Sequence, residues 1–219
     1  MSPPAPPLSA DELAAIVEGT LQHYGEHADA FWEGTRGHDV AHNVAALLDA
    51  IEGTPPFTIL DLGCGPGRDL KTFADMGHET VGVEAVPQFA AMARAHSRCE
   101  VWEQDLLRLT LPAERFDGVF ANAVLFHVPT QELPRVLGEL RGTLKRRGVL
   151  FCSNPHGDDD EGWSRGRYGV WHRPESWHAV VSAAGFAELR RYYRPEGVPR
   201  ERQPWLATVW RSTRADSRP

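Results

Sequence analysis

Cysteine is scarce in this chain. Only Cys64, Cys99 and Cys152 occur among 219 residues. Their spacings match no metal-ligand template, so no metal site is expected, and an odd number argues against a disulfide framework. The expected setting is reducing and cytoplasmic. Long apolar runs are missing too. Without about 18 consecutive apolar residues there is no candidate membrane helix. Residues 1–8 are rich in proline and have neither a basic leader nor an apolar stretch; they read as a disordered lead-in, not a signal peptide. Positive charge is also short: Lys and Arg number 23 against 30 Asp and Glu, a net charge of −7. An acidic chain is poorly suited to nucleic-acid backbone or anionic membrane, so neither partner is expected.

What is present is a chain of single-domain size with ordinary apolar content. Ser9 with Glu12 reads as a capping box opening a helix with Leu13, Ile16, Val17 and Leu21 on one face. A second helix is predicted over 39–51, stopped by Gly53. From Phe57 the pattern alternates. Short apolar strands at 58–62, 80–83, 99–102, 116–121 and 149–153 are separated by helices at 68–77, 87–96 and 132–145. Such alternation implies βαβ units and a parallel sheet with helices on both faces. Residues 154–173 show no period and read as a long loop. A helix at 174–184 and strands at 186–193 and 205–210 follow, forming a hairpin-like edge. The tail from Ser212 reads as frayed.

The strand at 58–62 runs into Asp61-Leu62-Gly63-Cys64-Gly65-Pro66-Gly67. Three glycines after a strand and before a helix let a ligand approach main chain at the carboxyl edge of an open sheet. The spacing is neither G-x-G-x-x-G nor a P-loop. Asp61, set before the glycines, would repel a pyrophosphate and suit a positively charged group such as an amino-acid ammonium. Glu84 ends the next strand, where a carboxylate can take both ribose hydroxyls. Asp105 follows the third strand, within reach of an adenine amino group.

These segments resemble the class I S-adenosylmethionine-dependent methyltransferase family. Ile59-Leu60-Asp61-Leu62-Gly63-Cys64-Gly65-Pro66-Gly67 resembles its first motif, Glu84 its acidic strand end, and Gln104-Asp105-Leu106 its third motif. Phe116-Asp117-Gly118-Val119 with Asn122 and Phe126-His127-Val128 resembles its fourth. Lys145-Arg146-Arg147-Gly148-Val149-Leu150 is similar to its L-K-P-G-G-x-L motif, with Arg146-Arg147 in place of the usual Pro-Gly. The likeness covers 57–153 closely and 174–210 loosely. It implies a doubly wound, Rossmann-like, mostly parallel seven-stranded α/β sheet with an antiparallel edge strand and an N-terminal helical cap. The domains would be a cap over 9–54, a cofactor-binding domain over 55–211 with a substrate lid around 154–173, and a flexible tail over 212–219. It implies S-adenosylmethionine as cofactor and S-adenosylhomocysteine as product. The implied cofactor set is Asp61, Gly63, Cys64, Gly65, Gly67, Arg68, Glu84, Ala85, Asp105, Leu106, Asn122 and Ala123, with Cys64 a small residue fitting the turn and not a nucleophile.

His127, just past the fourth strand, is the candidate general base for an acceptor that must lose a proton. In such folds the chain ends cover the pocket, so Tyr24, Phe31, Trp32, Arg36, Asn154, His156, Trp163, Arg167, Tyr168 and Trp171 are the candidate acceptor-binding residues. Aromatic faces beside carboxylates suit a cationic or heteroaromatic acceptor, while Arg36, Arg167 or Arg194 would suit a carboxylate. For any single Trp, packing the lid is the simpler role. The expected function is methyl transfer to a small amino-acid-like or heterocyclic molecule, nitrogen slightly favoured, by a monomer or homodimer. The alternatives are a protein methyltransferase and a cofactor-binding regulatory domain without turnover.

Overall fold

The structure is a computed structural model that describes residues 6–213. A seven-stranded sheet has the order β3-β2-β1-β4-β5-β9-β8. Its strands are β1 (Thr58–Leu62), β2 (Glu79–Val83), β3 (Glu100–Trp102), β4 (Phe116–Asn122), β5 (Leu144–Pro155), β8 (Phe186–Arg194) and β9 (Trp205–Ser212). Pairings among the first five are parallel. β9 runs against both of its neighbours, β5 and β8.

Both faces are covered, because residues alternate sides along each strand. Leu60, Leu62, Leu150 and Cys152 face α6 (Leu133–Thr143) and α7 (Pro174–Ala183). On α6, Leu133, Val136, Leu137 and Leu140 repeat at helical spacing and are all fully buried, each stabilising the fold by about 1.5–3 kcal/mol. Ile59, Phe120, Val149 and Phe151 face the other way. They meet Val44 and Leu47 of α3 (Ala41–Leu48) and Phe73 of α4 (Arg68–Asp75). Leu70 joins Ala90 and Ala93 of α5 (Pro87–Ser97).

The chain ends depart from the sequence reading. α1 (Ala10–Glu26) begins with the Ser9–Glu12 capping box, but a further helix, α2 (Ala28–Thr35), follows it. The second predicted helix is shorter than 39–51 and belongs to the sheet's core. Leu8 is not a free lead-in: its N–H donates to Gln131 Oε1 (2.6 Å) and it packs beside Ile16, Tyr168 and Val170. Residues 1–5 and 214–219, expected to be loose, lie outside the described residues. Ser212 ends β9 and is buried, so the frayed tail does not begin there.

The expected loop at 154–173 contains an antiparallel hairpin, β6 (Asp160–Ser164) and β7 (Arg167–Trp171). Gly162 and Gly166 hide its period-2 pattern, and its buried face packs on α1 instead of the sheet. The Tyr168 N–H donates to Thr20 Oγ1 of α1 (3.1 Å). Trp163 lies on α1 at Gly19, where a Cβ would come within 2.6 Å of the indole. No helix among the described residues is long and apolar enough to cross a membrane.

Candidate functional site

The turn after β1 has left-handed backbone at Gly63, Gly65 and Gly67, and the three glycines answer different needs. A Cβ on Gly63 would lie 2.3 Å from Val124 Cγ2, and one on Gly67 would lie 2.7 Å from the Ala93 Cα. Both are packing requirements. At Gly65 the nearest atom is Phe31 Cε1 at 3.8 Å, so there a Cβ would meet only an ordinary van der Waals contact at the edge of a cavity.

That cavity is open to solvent. Its lining includes Gly65, Glu84, Ala85, Asp105, Leu106 and Ala123, under Tyr24 and Phe31 of the cap. Glu84 Oε2 accepts from the Gly65 N–H (2.8 Å) and Oε1 from the Val86 N–H (2.8 Å). Burial nevertheless pushes its carboxyl upward. Asp105 Oδ1 accepts from the Leu107 N–H (2.8 Å), which shapes the turn after β3. Asp61 is buried and its Oδ2 has no hydrogen-bond partner. Burial, then the nearby Asp69, raises its carboxyl well above the usual range. Cys64 is a buried thiol, pushed up by burial and by Asp61 and Glu84, so it is neutral and no nucleophile.

A second, wider cleft shares Tyr24, Phe31, Gly63, Gly65 and Ala123 with the first. Trp32, Arg167, Arg194 and Trp205 also line it. Ala123, at the junction, takes a left-handed φ of 61°, and its N–H donates to the Ser153 carbonyl (2.8 Å). Along the floor runs a hydrogen-bonded chain. Tyr192 Oη donates to Asn43 Oδ1 (2.8 Å), Asn43 Nδ2 to Asn122 Oδ1 (3.2 Å), and Asn122 Nδ2 to Asp69 Oδ2 (3.0 Å). Arg68 closes it with two bonds to Asp69 and one to the Thr35 carbonyl. Asn122 and Arg68 therefore line this second cleft and not the first.

His127 is not an open base. Its Nδ1 lies 2.6 Å from the Tyr168 carbonyl, an oxygen that can only accept, so Nδ1 carries the proton. Its Nε2 accepts from Tyr24 Oη at 2.9 Å. Burial, with Arg167 nearby, lowers its pKa to about 4. His127 lines the first cavity, with its Nε2 engaged by the Tyr24 hydroxyl. The spacing of the fourth motif located His127, but nothing local in the sequence marks a partner 103 residues away.

Of the expected acceptor residues, Tyr24, Phe31, Trp32 and Arg167 line the second cleft. The others lie elsewhere. Arg36 is exposed and paired with Glu33. Asn154 is buried on the sheet face opposite Ser153. His156 Nε2 meets the Gln203 carbonyl (3.0 Å) and its ring abuts Tyr193. Trp163 covers α1, and Trp171 packs over Gly157 and Gly169. Tyr168 contributes its carbonyl to His127 while its hydroxyl donates to Glu161 (2.8 Å). Asn43 and Trp205 were not anticipated; each lies outside the recognisable motifs and reaches the cleft through tertiary packing.

Residues 60–152 match a family described as Methyltransferase domain. Trans-aconitate 2-methyltransferase of Azoarcus sp. is 33% identical over 105 residues, 47% of this chain and 41% of that protein. A tRNA U34 carboxymethyltransferase of Marinobacter nauticus is 33% identical over 174 residues, 72% of this chain and 49% of that protein. The chain thus spans half or less of the curated relatives it matches. Among solved structures, Burkholderia thailandensis 1,6-didemethyltoxoflavin-N1-methyltransferase, with 1,6-didemethyltoxoflavin and S-adenosylhomocysteine bound, superposes with a TM-score of 0.76 at 22% identity. The match covers 96% of this chain and 93% of that one. Residues 60–152 of this chain are thus a methyltransferase domain, and its sheet has the fold of that S-adenosylhomocysteine-bound methyltransferase.

Proposed function

We propose that the protein transfers a methyl group from S-adenosylmethionine to a small amino-acid-like or heterocyclic molecule. One observation carries the reading: the cavity holding Glu84 and Asp105 shares Gly63, Gly65, Ala123, Tyr24 and Phe31 with a second cleft that Trp32 and Arg167 also line. The residues present fit the cofactor. At Gly65 a Cβ would meet only Phe31, at 3.8 Å, and Asp61 Oδ2 is a buried acceptor with no partner, suited to an ammonium group directly or through water. Glu84 would take the ribose hydroxyls, and Asp105 with the Leu106 backbone the adenine.

When bound, the cofactor supplies an electrophilic sulfonium methyl. The chain's share is to hold the acceptor in line and to exclude water, and positioning of this kind supplies roughly 7–11 kcal/mol of a barrier. Tyr24 and Phe31, at the junction of the two cavities, fix that approach. His127, with its depressed pKa and its Nε2 engaged by Tyr24 Oη, is a weak base at neutral pH. This supports a nucleophile already unprotonated there, such as a ring nitrogen or neutral amine, over an alcohol.

The test is incubation with methyl-labelled cofactor and fractionated cell extract. Label in the low-molecular-weight fraction is expected. Label confined to protein or RNA, or binding of the cofactor with no transfer, overturns the reading.

A further inference from the structure

The charge of the second cleft narrows the acceptor, given the methyl-transfer reading above. Three arginines line it. Arg68 is neutralised by Asp69 at 2.6 and 2.9 Å. Arg194 leans on Glu196 at 3.6 Å. Arg167 is different. Among the described residues no carboxylate pairs with it, and its guanidinium lies over the face of Tyr24, 5.7 Å from the ring centroid.

Its position is built. The hairpin turns at Gly166, with φ of 81°, and a Cβ there would fall 2.4 Å from His23 Nδ1. Glycine therefore lets the hairpin tip sit directly on α1. The ring beneath Arg167 is fixed in turn, since Tyr24 Oη bonds His127 and His127 bonds the carbonyl of Tyr168, the residue after Arg167. The result is a half-buried guanidinium with unused donors, held beside the junction of the two cavities in a chain of net charge −7. A planar fork of N–H donors matches a carboxylate bidentately. The same cleft carries the aromatic side chains of Trp32 and Phe31.

We propose that the acceptor bears a carboxylate, which Arg167 binds through its guanidinium fork while Trp32 and Phe31 hold the acceptor's planar apolar part. The test is calorimetric titration with indole-3-carboxylate and its neutral counterpart indole-3-carboxamide, each with and without S-adenosylhomocysteine. The wild type is expected to prefer the carboxylate by about tenfold or more, as the loss of a charge-assisted pair implies. Arg167→Met is expected to shrink that preference to about twofold or less with S-adenosylhomocysteine affinity unchanged, and Arg167→Lys to keep part of it. Equal binding of the two probes by the wild type, no binding of the carboxylate, or a preference that survives in Arg167→Met overturns the proposal. Failure to bind S-adenosylhomocysteine while the carboxylate preference persists overturns the methyl-transfer reading alone.

Discussion

Tyr24 Oη donates to His127 Nε2 across 2.9 Å, joining the first helix of the cap to the turn after β4. His127 passes the link to β7 through the Tyr168 carbonyl. Tyr24→Phe removes the donor while keeping the ring, and should lower stability by about 1 kcal/mol in chemical denaturation. An unchanged midpoint would show that the cap is held by apolar contacts alone.

The same histidine gives a pH signature. Its ordinary value of 6.5 falls to about 4 in the fold. Between those values the unfolded chain binds a proton that the native state does not, so stability falls as pH drops through that window, by up to roughly 3 kcal/mol. Asp61 and Glu84, raised by burial, act in the opposite direction as they protonate. The difference between wild type and His127→Gln isolates the histidine. Its stability advantage at pH 7.5 should shrink towards pH 4.5, and a constant difference would rule out the neutral buried imidazole.

The glycines make a contrasting pair. Gly63→Ala drives a methyl into Val124 and should destabilise the fold by about 1–3 kcal/mol. Gly65→Ala meets only Phe31, at an ordinary van der Waals distance of 3.8 Å, so it should fold with the strain of a left-handed alanine, about 1 kcal/mol. It should bind S-adenosylhomocysteine at least tenfold more weakly, because the added methyl projects towards the cavity. Equal affinity in calorimetry would remove Gly65 from the cofactor's path.

Glu84→Gln keeps the size of the side chain but removes the charge that receives two backbone N–H groups. Weakening of S-adenosylhomocysteine binding by about 1–3 kcal/mol is expected. Unchanged calorimetric affinity would take Glu84 out of the ribose role.

Much of this arrangement was legible in the residues. The alternating elements, the turn at Asp61–Gly67 and the strand-end acid Glu84 all follow from local pattern, because a βαβ unit places each βα turn at one sheet edge. The second cleft was legible only in part. Trp32 and Arg167 were found as chemistry-bearing residues near the chain ends. Trp163, Trp171 and His156 looked equivalent to them and proved to be packing or surface groups. Which aromatic faces a cavity is decided by tertiary contacts such as Trp163 on Gly19. The hairpin at Asp160–Trp171 escaped notice because its glycines break the alternation and its buried face serves a helix.

The polar chain along the second cleft's floor depends on a residue far along the sequence. Asn43 waits for Tyr192, 149 positions later, to complete its bonding. A polypeptide without that tyrosine hydroxyl keeps every strand bordering the first cavity, yet lacks the anchor that aligns Asn43, Asn122 and Asp69. Tyr192→Phe, which cuts that anchor and keeps β8 and β9 in the sheet, should therefore loosen the floor of the second cleft while leaving nucleoside binding at Glu84 largely intact.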